Sequence, residues 1–186
     1  MRWLQARGGR VTVSVRDART TLEDRRWMER VYRDYLEDLA PLNTGVFPAL
    51  GEVGHREPDQ LSRWFSDRSA VPLLILQSLQ PVGFAMVAWN SAGSGGAVTY
   101  RMAEFFIARA NRRRGYGERA VQLILNRFAG HWEITEYVRN PVAVSFWRRV
   151  VSAYTGGRYQ ERVQNGEVRQ TFESRAPFAA GARQPG

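Results

Sequence analysis

The stretch from residue 98 to residue 130 constrains the fold more than any other. An apolar run, 98–108, feeds a short arginine-rich loop, and two glycines, Gly115 and Gly117, then open an amphipathic segment. The first part predicts a buried strand. The second predicts a helix over 115–129, with Ala120, Val121, Ile124 and Phe128 on its inner face and Gly130 as its stop. A helix with one apolar stripe must bury it against another element. A strand joined tightly to such a helix therefore predicts layers of helix on sheet.

The rest of the chain repeats this logic. Val11–Val15 alternates apolar and polar residues, the pattern of a half-buried strand. Thr21, with Glu23 and Asp24 behind it, caps a helix expected over 21–40, and Met28, Val31, Tyr32, Tyr35, Leu36 and Leu39 fall at helical spacing. Pro41 stops it, and 41–57 reads as a glycine- and proline-bearing loop. A short helix is expected over 59–67, then strands over 71–77 and 82–89 joined by a turn at Ser78–Pro81. Another strand is expected over 132–138 and a helix from Pro141 to Gly156-Gly157. Strands over 158–164 and 167–173 flank Asn165-Gly166, a strong hairpin signal. Residues 1–9 are expected to be a flexible lead, 10–174 one domain, and 175–186 a disordered tail. The order is β-α-α-β-β-β-α-β-α-β-β.

Composition narrows the chemistry. The chain has 186 residues and no cysteine, which removes disulfides, thiolate metal sites and a cysteine nucleophile. Two histidines, His55 and His131, are too few for an imidazole zinc site. No apolar run approaches the length of a membrane span, and the N-terminus has no apolar leader, so a cytoplasmic protein is expected. All 27 basic residues are arginine, and the net charge is +9. That charge is local. Six arginines lie in 101–119 against Glu104 and Glu118, whereas 20–43 holds four arginines against six acids. Arginine pairs bidentately with phosphate, so the cluster points to a phosphate-bearing partner near residue 112.

The junction has the physical make-up of a diphosphate cradle. A helix N-terminus offers unpaired N–H groups and partial positive charge, and glycine lets an anion approach the backbone. It is not a dinucleotide fingerprint, because G-x-G-x-x-G is incomplete and lies late in the chain. It is not a P-loop, because the lysine is missing.

Arg112-x-x-Gly115-x-Gly117 resembles the R/Q-x-x-G-x-G/A acyl-CoA motif of the Gcn5-related N-acetyltransferase (GNAT) superfamily. It sits between a strand and a helix, as in that family. Asn140-x-x-Ala143-x-x-Phe146-Trp147 resembles the family's second motif, N-x-x-A-x-x-F/L-Y, which lies along the cofactor arm. The resemblance covers residues 11–173. It implies a mixed, mostly antiparallel sheet with helices on both faces and a fourth and fifth strand that splay apart around acetyl-CoA. By the same resemblance, Phe106, Ile107 and Ala108 would pair through their backbone with the pantetheine arm, and the Ile107 N–H would hold the thioester oxygen. Backbone N–H groups of Arg112, Arg113, Arg114, Gly115, Tyr116 and Gly117 would hold the diphosphate. Asn140, Phe146 and Trp147 would flank the arm.

The implied reaction is direct attack of a neutral amine on the thioester, with a carboxylate taking the proton. Glu104 is the first candidate, its alternative being a solvated carboxylate paired with Arg101 or Arg109. Glu136 is the second candidate. Trp147 stands where the family has a tyrosine acid, and indole N–H can only donate a hydrogen bond or pack. Tyr154, about 10 Å further along the same helix, is the candidate substitute, its alternative being a core tyrosine; Tyr137 is another candidate, and a thiol leaving group can also do without an acid. Phe47, Trp64, Phe65, Trp89 and His55 are candidates for the acceptor side or for the core. The acceptor is expected to be a primary amine of unspecified kind, and the assembly a monomer or homodimer. Two rival readings are a basic nucleic-acid-associated protein, including a tRNA-directed acetyltransferase, and a GNAT fold that binds CoA without catalysis. The concentration of arginines at a strand–helix junction favours the small diphosphate ligand over nucleic acid.

Overall fold

A computed structural model describes residues 12–42, 60–91 and 98–175. The expected lead, the loop beyond residue 42 with Phe47 and His55, the linker 92–97 and the tail beyond Arg175 lie outside the described residues. The elements run β1 (Val13–Asp17), α1 (Leu22–Leu39), α2 (Gln60–Ser66), β2 (Ala70–Gln77), β3 (Gln80–Ser91) and β4 (Val98–Ile107). They continue as α3 (Tyr116–Arg127), β5 (Gly130–Tyr137), α4 (Pro141–Thr155), β6 (Gln160–Gln164) and β7 (Glu167–Ser174). This is the expected order. The strands form one seven-stranded sheet, β1-β2-β3-β4-β5-β7-β6. All neighbours are antiparallel except β4 and β5. Among the described residues no helix is long and apolar enough to cross a membrane.

Local chemistry sets the element ends. The Thr21 side chain accepts from the Asp24 N–H at 3.1 Å and caps α1. Asn140 does the same for α4 through the Ala143 N–H at 3.2 Å, with Pro141 in the first turn. Gly156, at φ 61°, closes α4 in the left-handed conformation. Arg19 donates to the carbonyls of Trp64, Asp67 and Ala70, at 3.1, 2.9 and 2.6 Å, and so caps the end of α2 from another part of the chain. β1 starts and ends two residues later than the alternation suggests, because its register against β2 runs from Val13–Gln77 to Asp17–Leu73.

The sheet is covered on both faces. On one side α1 and α2 bury Met28, Tyr32, Tyr35, Leu61 and Trp64 against Leu74, Phe84 and Phe106. On the other, α3 and α4 bury Ile124, Leu125, Trp147 and Val150 against Leu73, Val87, Met102 and Trp132. Trp64, Phe65 and Trp89 belong to these cores.

The β2–β3 hairpin turns on two residues, Ser78 and Leu79, between the pair Gln77–Gln80. Both have positive φ, 46° and 72°, and neither is glycine. L-residues with a Cβ pay roughly 1–2 kcal/mol in that region, whereas Asn-Gly adopts it readily. The Ser78→Asn/Leu79→Gly double substitution is expected to stabilise the fold by about 1 kcal/mol. That should raise the melting midpoint by roughly 2–4 °C in a thermal scan.

Candidate active site

β4 and β5 pair only at Thr99–His131, Tyr100–Trp132 and Arg101–Glu133. Beyond that point β4 runs on to Ile107 and β5 to Tyr137 without pairing to each other. A cavity of about 720 Å³ opens where the pairing ends. Its walls are β4 from Met102 to Ile107, Glu136 of β5, the start of α4, and Tyr35 and Asp38 of α1. Phe146 and Trp147 enter the gap from α4. Phe105 stacks on Phe146 with centroids 5.7 Å apart and meets Trp147 edge-on at 5.4 Å.

A bulge decides which way the carboxylate of β4 faces. Met86 lies opposite Glu104 and Val87 opposite Met102, so Ala103 is an extra residue. One inserted residue reverses the side-chain alternation downstream. Before it, Met102 packs toward α3 and α4; after it, Phe106 packs toward α1. Glu104 therefore meets Tyr35 of α1, whose hydroxyl donates to its carboxylate. Glu104 is only 2% exposed, which removes the reading of a solvated strand carboxylate. Arg109, one of the two partners offered for it beside Arg101, pairs with Asp38.

Backbone direction divides the four residues at the end of β4. The Ala108 N–H donates to the Val82 carbonyl at 2.9 Å, toward β3. In an antiparallel ladder alternate residues point the same way, so Phe106, opposite Phe84, also turns its amide to β3. Phe105 and Ile107 turn theirs to the gap. The expectation that Phe106 and Ala108 offer backbone to an arm in the gap is thereby corrected, because β3 takes those groups. Ile107 keeps an N–H aimed at the gap, while its carbonyl accepts from Arg112 Nε at 2.7 Å.

After β4 the chain makes a single 3₁₀ turn, Arg109–Asn111, and reaches α3 through Arg113 at φ 61° and Gly115 at φ 78°. Left-handed residues in a turn point successive N–H groups into one concavity, and the first-turn amides of α3 lack intrahelical acceptors. Gly115 needs glycine for its backbone angle. Gly117 does not, since its φ is not positive, and a Cβ there would meet Ile107 and Phe146 at 3.5 Å, an ordinary contact. That Cβ would lie on the cavity wall.

The arginines of the junction are not all turned outward. Arg109 and Arg112 both bind Asp38 near the end of α1, with Arg109 Nε at 2.7 Å. Arg112 also lies over the Phe106 ring, 5.3 Å from its centroid. Partial burial pushes the Asp38 carboxyl up, but hydrogen bonds from Arg112 and Arg109, with their charges, bring it below its ordinary value of 3.8.

The remaining candidates separate. Trp147 Nε1 donates to Glu136 at 2.9 Å, joining α4 to β5 across the cavity. Asn140, Ala143 and Phe146 line the same cavity. Tyr154 does not. Its hydroxyl donates to Asn126 at 2.9 Å, beside a second cavity with His131 and Glu173, and burial holds its phenol above the usual value. Seven residues along α4 carry it past the end of the gap to the core under α3 and α4, which agrees with the core alternative and not with the acid. Tyr35 is the one tyrosine lining the main cavity among the described residues. Sequence reasoning placed it in the core stripe; the available hint was a phenolic hydroxyl in that stripe, which needs a buried partner. Among the described residues no cluster suits a metal ion.

The profile of the acetyltransferase (GNAT) family matches residues 28–151, and the chain belongs to that family. Among solved structures it is similar to an acetyltransferase from Thermus thermophilus, at 17% identity and TM-score 0.59, covering 87% of this chain and 97% of that one. It is similar to Arabidopsis thaliana NAA60 in complex with acetyl-CoA, at 10% identity and TM-score 0.57, covering 87% and 98%. It is also similar to the aminoglycoside acetyltransferase meta-AAC0020, from an uncultured soil metagenomic sample and in complex with sisomicin, at 11% identity and TM-score 0.56, covering 83% and 93%. At these identities the likeness is one of fold. No curated protein matches the chain by sequence.

Two outcomes test this geometry. Gly117→Ala should leave the melting point equal or higher, by up to about 1 kcal/mol of helix propensity, yet weaken CoA binding at least roughly tenfold in calorimetry. Asp38 has a lowered carboxyl in the folded chain, so its pairing adds stability above the unfolded pKa and loses it as pH falls through the folded value. Denaturant titrations across roughly pH 5 to 2 should give Asp38→Asn a shallower acid decline than the parent.

Proposed function

We propose that the protein transfers the acetyl group of acetyl-CoA to a primary amine by direct attack. The observation that carries this reading is the cavity between the unpaired ends of β4 and β5, with a glycine-opened helix N-terminus at one end and a buried carboxylate on its wall. The residues fit the cosubstrate. The gap edge of β4 offers unpaired strand backbone to an amide-bearing arm, and Gly117 keeps clear the space a Cβ would fill. Bound there, acetyl-CoA supplies a thioester carbonyl activated for attack and a thiolate leaving group.

In this reading the amides of residues 113–117 hold the diphosphate, and Phe146 and Asn140 flank the arm. The Ile107 N–H, facing the gap, stabilises the oxyanion that forms as the amine nitrogen bonds to the carbonyl carbon. The C–S bond then breaks, and the amine proton passes to the Glu104 carboxylate, which Tyr35 holds by its hydrogen bond. Trp147 has its N–H bonded to Glu136, so it protonates nothing. A thiolate is a good enough leaving group to depart without an acid. Trp147 also favours the second reading, CoA binding without turnover. The nucleic-acid reading loses ground to Asp38, which neutralises part of the arginine cluster from within the fold.

Acetyl-CoA alone should raise the melting point by mass action. Thiol release with a panel of primary amines should then identify an acceptor. With that acceptor, Glu104→Gln should lower kcat by about 10²-fold or more with little change in CoA affinity. Unchanged turnover in that variant would remove Glu104 as the base. Binding without thiol release for any amine would favour the non-catalytic reading.

A further inference from the structure

The diphosphate cradle, as read above, is made of backbone, and backbone amides recognise an anion only if the loop carrying them is already in shape. Residues 112–115 have no strand or helix to hold them. Arg113 and Gly115 are both left-handed, and residues 112–115 are all exposed. Two backbone bonds hold its ends, Arg112 N–H to the Arg109 carbonyl at 3.3 Å and Arg119 N–H to the Gly115 carbonyl at 3.1 Å, and side-chain contact at its first residue adds to them. Arg112 donates to the carbonyl at the end of β4, lies over the Phe106 ring, and forms an ion pair with Asp38. Arg109, one 3₁₀ turn earlier, binds the other oxygen of the same carboxylate. Asp38 thus receives two arginines, one from each end of the 3₁₀ turn that leads into the loop, and it sits on the rigid frame of α1, one turn beyond Tyr35. Its side chain is 19% exposed while those of Arg112 and Arg109 are 41% and 63% exposed, so only the carboxylate end of the pairing is sheltered and the pair acts through geometry more than through charge.

We infer that Asp38 is a positioning residue for cosubstrate binding: it pins Arg109 and Arg112 so that the amides of residues 113–117 stand ready for the diphosphate. The inference rests on the reading that this loop binds CoA. It runs against the simplest electrostatic expectation. Asp38 is an anion near an anionic ligand, and it occupies two arginines that would otherwise attract phosphate. Removing its charge should tighten binding if attraction by the side chains dominates. Removing it should weaken binding if the shape of the loop dominates. The second outcome is the one expected here. An ordered amide cradle acts at hydrogen-bond distance, while exposed guanidinium groups are screened by salt and must be ordered at the ligand's expense.

The test is calorimetric titration with CoA at pH 7.5 and about 0.1 M salt, a Debye length of about 10 Å, for the parent, Asp38→Asn and Asp38→Glu. Asp38→Asn is expected to bind about tenfold more weakly, the scale of re-ordering one residue of backbone. Asp38→Glu, which keeps the charge, should recover most of the loss. Hydrogen exchange of the amides in 113–117, measured without ligand, should be faster in Asp38→Asn than in the parent, while exchange in β2 and β3 stays the same. That second measurement keeps a merely unfolded variant from passing as a result. Equal or tighter CoA binding by Asp38→Asn, or unchanged exchange in 113–117, overturns the inference and leaves the transferase reading intact. No CoA uptake by the parent chain overturns the transferase reading itself, and this inference with it.

Discussion

The parting of β4 and β5 is the constraint on which the rest of the molecule turns. A sheet gains stability by pairing every strand along its length, and a break in the middle exposes backbone donors and acceptors that a closed sheet would satisfy. Here the pairing stops after Arg101 and Glu133, in the interior of a seven-stranded sheet. Side chains from α4 occupy the opening: Phe146 and Trp147 pack against Phe105, and Trp147 bridges to Glu136 on the far strand. The indole spends its only N–H on that bridge. The result is a slot between the backbone edge of β4 and the aromatic side chains of α4.

A single inserted residue then decides what chemistry the slot can carry. With perfect alternation Glu104 would share a face with Tyr100 and Met102 and lie under α3 and α4. The bulge at Ala103 turns it to the opposite face, among Tyr35, Phe84 and Phe106. There the carboxylate is removed from water and held by a phenolic donor. The same helix supplies Asp38 one turn later, so α1 touches both the carboxylate of β4 and the loop after it. One rigid element thereby sets the distance between two parts of the site that β4 alone would leave adjustable.

The charge of the chain is misleading when read as a sum. Its arginines do several jobs inside the fold. Arg16 forms a two-point pair with Asp24, whose side chain is almost wholly buried. Arg19 closes α2, and Arg148 binds Glu161 at two points alongside Gln170. A planar guanidinium with five donors can satisfy carbonyls and carboxylates in fixed geometry, which a lysine could not. Much of the positive charge is therefore structural.

Element order, helix caps, the Asn165-Gly166 hairpin and the glycine-opened α3 were legible from sequence because each is settled by a few neighbouring residues. Thr21 caps because Asp24 lies three residues away, and Gly115 turns because it has no Cβ. The family motifs were legible for the same reason, since a cradle of backbone amides is written in consecutive residues. Tyr35, Asp38 and the Ala103 bulge were not legible. Tyr35 lies 69 residues from Glu104 and Asp38 lies 71 from Arg109 along the chain, and a bulge exists only relative to the strand beside it. Tyr154 shows the converse: its helical spacing was read correctly, yet the end of the gap, which only the packing of α4 on β5 and β7 defines, leaves it on another cavity. Local stereochemistry wrote the elements; the burial of distant side chains against one another set the surroundings of the carboxylates that line the slot.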